Sequence, residues 1–491
     1  MSAAEVTATP AQPTPVRPGL GLAALTAIVV GSMIGSGIFA LPSQMAGSAA
    51  PGPLLIGWAI TGVGMLMLAF VFQTLAERKP NVDGGVYGYA RAGFGNYIGF
   101  TSAFGYWASA WMGNVAYLVL LFATLGTFFP AFEGGATLPA ILGASILLWI
   151  VHAMTLRGVH TAAFVNTIVT IAKVVPILTF IGFAIVGFKA GLFSADFWGE
   201  ATTVDGEPLG STMHQVKNMM LVTVWVFIGI EGAAVYSKRA ASRKDVGRAT
   251  VLGFVGVLAL LLLVNFLSYG LMAQARIADL PDPSMAGLME EQVGAWGATF
   301  ISIGLIISLL GALIAWVLLC AEILQIPALD AVMPEQLGRE NSRHSPVWAL
   351  WLTNGCIQLM LLWTLANEST YLSLVLLATS LILLPYLWSA AYQVLLAVKG
   401  ETYESGQGRT RDLVIGGVGL VYAVWLVYAG GTEYLLTGAL FYFIGTALFV
   451  WARKQHNLPV FTKAEWIIFA VIAAASVLAV VLIAHGDLAI G

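Results

Sequence analysis

Apolar runs follow one another along almost the whole chain, separated by short clusters of charge, proline and glycine. A helix needs about 20 apolar residues to cross the hydrocarbon core of a bilayer. In lipid, only helices and closed barrels satisfy their own backbone N–H and C=O groups. The runs predict membrane-spanning helices near 20–43, 53–77, 97–129, 138–156, 161–188, 215–240, 248–273, 294–328, 346–366, 370–398, 412–430, 433–452 and 464–486. The expected fold class is an all-α polytopic membrane protein with 12 to 13 spans. Hydrophobic residues make up 59% of the chain and charged ones 10%, against roughly 25% charged in a soluble protein. Such a chain cannot cover a globular surface with charge, which excludes a soluble enzyme. A net charge of −3 offers no basic face to a nucleic acid. Cys320 and Cys356 both lie in apolar runs and read as reduced, buried thiols.

The cations give the orientation. With the N-terminus inside, all but four of the 22 Lys and Arg residues fall on the inner side. Lys189, Lys217 and Arg276 are outside and Lys173 is mid-span. That asymmetry is what the positive-inside rule requires. Residues 1–19 are rich in Ala, Thr and Pro and read as a disordered cytoplasmic tail without a secretory signal. The acidic outer segments 189–214 and 274–293 read as solvated loops.

Two spans are interrupted. Span 1 contains Gly31-Ser32-Met33-Ile34-Gly35-Ser36-Gly37, which is poor helix material. Span 6 contains Ile228-Gly229-Ile230-Glu231-Gly232 at similar depth. Unwound backbone inside a membrane is tolerated only where it is buried in protein or lines a cavity. Glycine-interrupted spans in corresponding halves point to an inverted repeat around a central site. Helix N-termini at such breaks suit a carboxylate, and free carbonyls suit a cation. A substrate bearing both groups is expected.

The motifs GSMIGSGIFALP in span 1, KPNVDGGVYGYARAGFG after span 2, GYWASAWMGNVAY in span 3 and VWVFIGIEGAAVYSKRA in span 6 resemble those of the amino acid–polyamine–organocation transporters. Within that superfamily they are similar to the basic amino acid/polyamine antiporters, most of all the arginine/ornithine antiporters. The resemblance covers roughly residues 20–450. It implies a LeuT-type fold of five plus five spans, with repeats 20–188 and 215–398 forming a transport core. Residues 399–491 would add C-terminal spans, and the thirteenth departs from the twelve common in the family. The implied function is exchange of cationic amino acids, arginine for ornithine, by alternating access across a bacterial inner membrane. The alternatives are a proton-coupled importer, or an exchanger of lysine, histidine or arginine for the corresponding amine. A homodimer is a further expectation.

The resemblance also assigns roles. Backbone N–H groups near Ser36 and Gly37, with the Ser36 hydroxyl, would hold the substrate carboxylate. The carbonyls of Met33 and Ile228 would accept from the α-ammonium. Trp225 would stack on the cationic side chain, a cation–π pair worth about 0.5–2 kcal/mol. Tyr106, Ala110, Asn114 and Tyr117 share one face of span 3. Asn114 would meet the distal guanidinium, and Tyr117 stands where a smaller or more flexible residue is expected. Trp316 would close the pocket on the inner side, and Thr379 would add a polar contact.

Glu231 and Lys173 are costly inside a membrane unless paired. Glu231 would serve gating or coupling, or would bond the broken backbone. Lys173 would hold carbonyls near Gly31 where sodium sits in sodium-coupled relatives, and could also carry a proton. The six histidines are scattered without ligand spacing and no Walker-type loop is present, so neither metal nor cofactor is expected.

Overall fold

A computed structural model of the protein describes residues 21–158, 163–231, 243–367, 370–404 and 406–488. The N-terminal tail and the second half of span 6 lie outside the described residues. Among the described residues, eleven helices are long and apolar enough to cross a membrane, or twelve if the bent pair at the start of the chain is one span. The protein is an all-α polytopic membrane protein, and its span order is that of the LeuT-type architecture.

Span 1 consists of two helices, Leu22–Met33 and Gly37–Ser48, bent by 45° at the intervening break. The second runs past Pro42 to Ser48, beyond the expected end at 43. Spans 2 to 5 are Pro51–Arg78, Asn96–Gly126, Leu138–Leu156 and Ala163–Gly187. Span 6 opens with Thr212–Trp225. Spans 7 to 10 are Arg243–Ser268, Ala295–Leu329, Val347–Asn367 and Tyr371–Lys399. Arg409–Ala429, Gly431–Gln455 and Lys463–His485 complete the bundle as spans 11 to 13.

Local chemistry sets several span starts. Pro51 opens span 2, where its missing N–H costs nothing. Thr137 and Thr370 cap spans 4 and 10 by accepting the N–H of Ala140 and Ser373. Thr462 and Glu465 form a reciprocal capping box on span 13.

Span 3 is the buried axis of the molecule, packed by spans 8 and 10. Small residues allow that approach, as is usual between membrane helices. At Gly105 a Cβ would come within 2.6 Å of the Leu381 carbonyl of span 10. Spans 4 and 9, the fourth of each repeat, are stitched by polar side chains. Asn354 meets His152 at 2.8 Å, and Gln358 bridges Trp149 and Ser145, each at 3.0 Å.

Buried acids fasten the C-terminal spans to the core. The Asp412 carboxylate of span 11 accepts from Arg78 at 2.7 Å, Arg411 at 3.0 Å and Tyr403 at 3.1 Å. Glu465 of span 13 accepts the N–H of Tyr97, at the start of span 3, at 2.7 Å.

The segment after span 7 carries two short helices, Gln274–Ala278 and Ser284–Val293, which form a lid over the second helix of span 1. Tyr269 donates to the Ala49 carbonyl (2.6 Å) and Gln274 to that of Ala46 (2.9 Å). From the other side, Gln215 accepts the N–H of Ala50 (2.9 Å) and the Phe197 carbonyl that of Gly52 (2.7 Å). The two acidic segments, expected as solvated loops, therefore anchor the end of span 1 and the start of span 2.

Gly105→Val places two methyl groups where Leu381 and Tyr442 already stand. The expected result is a loss of about 2 kcal/mol. A lower thermal unfolding midpoint of the purified protein in detergent, against a wild-type control, checks it.

Candidate substrate site

The breaks in spans 1 and 6 meet. In span 1 the helix stops at Met33, the Ile34 N–H bonds back to Val30 (2.8 Å), and the next helix starts at Gly37. In span 6 the helix stops at Trp225 and residues 226–231 continue as turns, with Gly229 at φ +107°. That conformation favours glycine, and closeness requires it as well. A Cβ on Gly229 would lie 2.9 Å from the Ser32 carbonyl. The Ser32 hydroxyl donates to the Gly229 carbonyl at 3.1 Å, so one break satisfies part of the other.

Two ionisable side chains support the unwound backbone from behind. Lys173 of span 5 is buried and donates to the Gly31 carbonyl at 3.0 Å. Glu231 is buried, and its Oε2 accepts from the Gly229 N–H (3.2 Å) and the Tyr386 hydroxyl (2.9 Å). Tyr106 lies beside the same carboxylate. Glu231 Oε1 has no hydrogen-bond partner among the described residues.

A cavity of about 430 Å³, counting its mouth, opens between the breaks and span 3. Ser32, Met33, Gly35, Ser36 and Gly37 line it from span 1. Trp225, Val226 and Ile228 line it from span 6, and Trp316 from span 8. Tyr106, Ser109, Ala110, Gly113 and Tyr117 form the span 3 wall. The lining residues include no Asp, Glu, Lys, Arg or His.

Trp225 is central to the walls. Its indole packs over Gly37 and Gly113, where an added Cβ would lie 3.0 Å from the ring in each case. The Tyr117 ring stands 6.0 Å away, tilted by 58°. Above them Tyr371, the first residue of span 10, closes the lid side of the cavity. Its hydroxyl meets the Ser36 hydroxyl at 2.8 Å and accepts from Trp225 Nε1 at 3.3 Å.

Of the residues singled out in the sequence, nine lie in this lining: Met33, Ser36, Gly37, Tyr106, Ala110, Tyr117, Trp225, Ile228 and Trp316. Asn114 and Thr379 do not. Asn114 lies behind Gly113, and its Nδ2 donates to Cys320 Sγ at 3.6 Å. Its Oδ1 is buried without a hydrogen-bond partner among the described residues. Thr379 is fully buried and its hydroxyl is spent on the Val375 carbonyl of its own helix, at 2.8 Å. The structure adds Ser32, Gly35, Gly113 and Val226 to the lining, and Tyr371 next to it through its bonds to Ser36 and Trp225. Ser109, the span 3 neighbour of Ala110, is legible in the sequence and lies in the lining too. Tyr371 carries no local signal, because only tertiary packing brings the start of span 10 over span 1.

Lys173→Met removes the donor to Gly31 while keeping the chain length. A hydrogen bond from a charged group is worth about 2 kcal/mol. Amide exchange around the span 1 break is expected to accelerate, with Lys173→Arg closer to wild type. Hydrogen–deuterium exchange in detergent measures it.

Comparison with known proteins agrees with this architecture. The amino acid permease family matches residues 20–476. An arginine/ornithine antiporter of Pseudomonas aeruginosa is 57% identical over 94% of this chain and 96% of its own. An L-lysine transport protein of Corynebacterium glutamicum is 43% identical over 95% of each chain. An arginine/agmatine antiporter of Chlamydia caviae is 38% identical over 95% of this chain and 97% of its own. With the matching motifs, the broken spans and this match along almost its full length, the chain belongs to the amino acid permease family, within the amino acid–polyamine–organocation superfamily.

Proposed function

We propose that the protein is a membrane antiporter that exchanges cationic amino acids, arginine for ornithine, and that it is not an enzyme. The observation that carries this reading is an uncharged, aromatic-walled cavity at the junction of two broken helices. The names of the Pseudomonas aeruginosa and Chlamydia caviae relatives support it. The N-terminus faces the cytoplasm of a bacterial cell, and the segment 274–293 faces outward. Residues 20–398 form the transport core, and residues 399–491 add spans beside it.

In this reading the outer helix of span 1 points its free N–H groups at the substrate carboxylate. The Ser36 hydroxyl exchanges its bond to Tyr371 for one to the carboxylate. The α-ammonium donates to the carbonyls of Met33 and Ile228. The side chain lies along Tyr117 and Trp225, where an indole face attracts a guanidinium or ammonium. Asn114 Oδ1, an acceptor with no protein partner, supplies the distal contact once Gly113 and Tyr117 yield. Tyr371 and Trp225 gate the cavity on the lid side and Trp316 on the other.

Lys173 fills the position next to the Gly31 carbonyl, which makes transport independent of sodium. Glu231 ties the span 6 break to span 10 through Tyr386 and serves gating.

Counterflow in proteoliposomes tests the reading. Labelled arginine is offered at symmetric pH without sodium to vesicles holding ornithine, arginine, lysine, histidine or nothing. Uptake that requires internal ornithine or arginine is expected. Uptake into empty vesicles driven by a proton gradient replaces the exchanger with an importer. Trp225→Ala is expected to raise the KM for arginine about tenfold, with Trp225→Phe between it and wild type. An unchanged KM removes Trp225 from the site.

A further inference from the structure

The outer segments hold two acids with opposite surroundings. Asp196 is a structural carboxylate. It accepts the backbone N–H of Glu200 (2.9 Å), Ala201 (2.9 Å) and Thr202 (2.7 Å), and the Thr202 hydroxyl at 2.8 Å. These donors hold its carboxyl below the usual range. Asp282, between the two lid helices, is half-buried, and its recorded hydrogen bond is one long contact of 3.5 Å from the Ser43 hydroxyl. The neighbouring Ser284 hydroxyl accepts the Ser43 N–H at 3.1 Å. Arg276, the cation of the same segment, pairs with Glu291 at 3.4 Å. Among the described residues Asp282 forms no ion pair. A carboxylate withdrawn from water without a counter-ion is costly, and nothing in the local hydrogen bonding offsets the cost.

Its place in the fold suggests what does. Asp282 lies against the outer half of span 1 and near enough to Tyr371 to act on that hydroxyl electrostatically. The same hydroxyl closes the cavity by bonding Ser36 and Trp225. The acid and the cavity wall therefore both act on the hydroxyl of one tyrosine.

We propose that Asp282 forms a waiting subsite for the cationic end of the substrate, on the lid side of the cavity, with Tyr371 as the door between the two. This rests on the cationic-substrate reading above. An ammonium or guanidinium arriving from the lid face supplies the counter-ion that the protein withholds. Fields focused by an acid in a low-dielectric cleft raise local cation concentration and association rate by tenfold or more. When Trp225 and Tyr371 move aside, the cation passes inward to the indole and the α-carboxylate follows to Ser36 and Gly37. Ser43 belongs to the outer helix of span 1 and Asp282 to the lid fastened on it, so the subsite moves with the gate.

Burial pushes the Asp282 carboxyl up to about 7. The subsite is charged above that pH on the lid face and discharged below it. The titratable group facing it from span 10 is Tyr371, and the outer half of span 1 carries none. On its own segment Arg276, Asp279, Glu290 and Glu291 are exposed. Spans 5 and 8, which also pack on the lid, carry Lys173 at mid-span and Glu322 far from the lid end.

The test is the KM for arginine measured from each face, in liposomes where the protein inserts in one direction. Asp282→Asn is expected to raise the KM from the lid face about tenfold, with Vmax and the KM from the opposite face unchanged. Asp282→Glu should restore most of the loss. In wild type, the lid-face KM should rise as pH on that side falls through 7, and the opposite-face KM should not. This arm stands even where Asp282→Asn fails to fold. An unchanged lid-face KM in Asp282→Asn, or equal changes at both faces, overturns the subsite while leaving the exchanger intact. Wild-type protein that exchanges no cationic amino acid overturns the exchanger itself.

Discussion

Everything at the centre of this protein depends on how two stretches of unwound backbone are satisfied inside a membrane. Breaking a helix in lipid exposes N–H and C=O groups that water cannot reach, at several kcal/mol each. Here the breaks are placed against each other. Ser32 of span 1 donates to the Gly229 carbonyl of span 6, and the absence of a Cβ at Gly229 lets the Ser32 carbonyl lie close by. Lys173 then takes the carbonyl of Gly31, and Glu231 takes the N–H of Gly229. Each break thus has one contact to the other and one ionisable group behind it. The cavity is the space this arrangement leaves in front.

The same contacts explain how the breaks can work as hinges without weakening the bundle. Span 3, the buried axis, is locked to span 10 where Gly105 meets the Leu381 carbonyl. Spans 4 and 9 are stitched along their lengths by His152, Asn354, Trp149 and Gln358. The outer half of span 1 is fastened to the lid through Ala46, Ala49 and Ser43. Rigid bodies joined at soft points are what a rocking mechanism needs. Tyr371 belongs to span 10 but bonds span 1 and span 6, so opening the lid side must break its two contacts.

What the sequence reveals follows from the range of the forces involved. Spans are read from hydropathy, a property of about 20 consecutive residues, and the ends that lie within the described residues fell within about five residues of those observed. Span 1 ran further than expected because Pro42 is accommodated inside its outer helix. The breaks were legible because Gly31, Gly35, Gly37 and Gly229 stand where lipid would otherwise forbid them. Lys173 and Glu231 stood out for the same reason, as charges without an evident partner. Tyr371 was illegible, since its role arises from a hydroxyl placed by span 10 against residues more than a hundred positions away. Asn114 shows the complementary limit. Helical spacing groups it with Ala110 on span 3, but its side chain bonds the Cys320 sulfur and does not line the cavity.

The placement of charge has its own logic. No lining residue of the cavity carries a formal charge, although Lys173, Glu231 and Asp282 all stand close by. A fixed carboxylate in contact with a guanidinium, about 4 Å apart in protein of effective dielectric about 20, would contribute about 4 kcal/mol. That would hold arginine firmly and release it slowly, and an exchanger must release at both faces. Binding sites that pass their ligands onward have to be strong enough to fill and weak enough to empty. An indole supplies a smaller attraction, about 0.5–2 kcal/mol, and helix ends supply the rest without a net charge. The acids are kept one side chain away, Glu231 behind the Gly229 turn and Asp282 behind Tyr371. Both therefore stand near the cavity without adding a fixed charge to its wall.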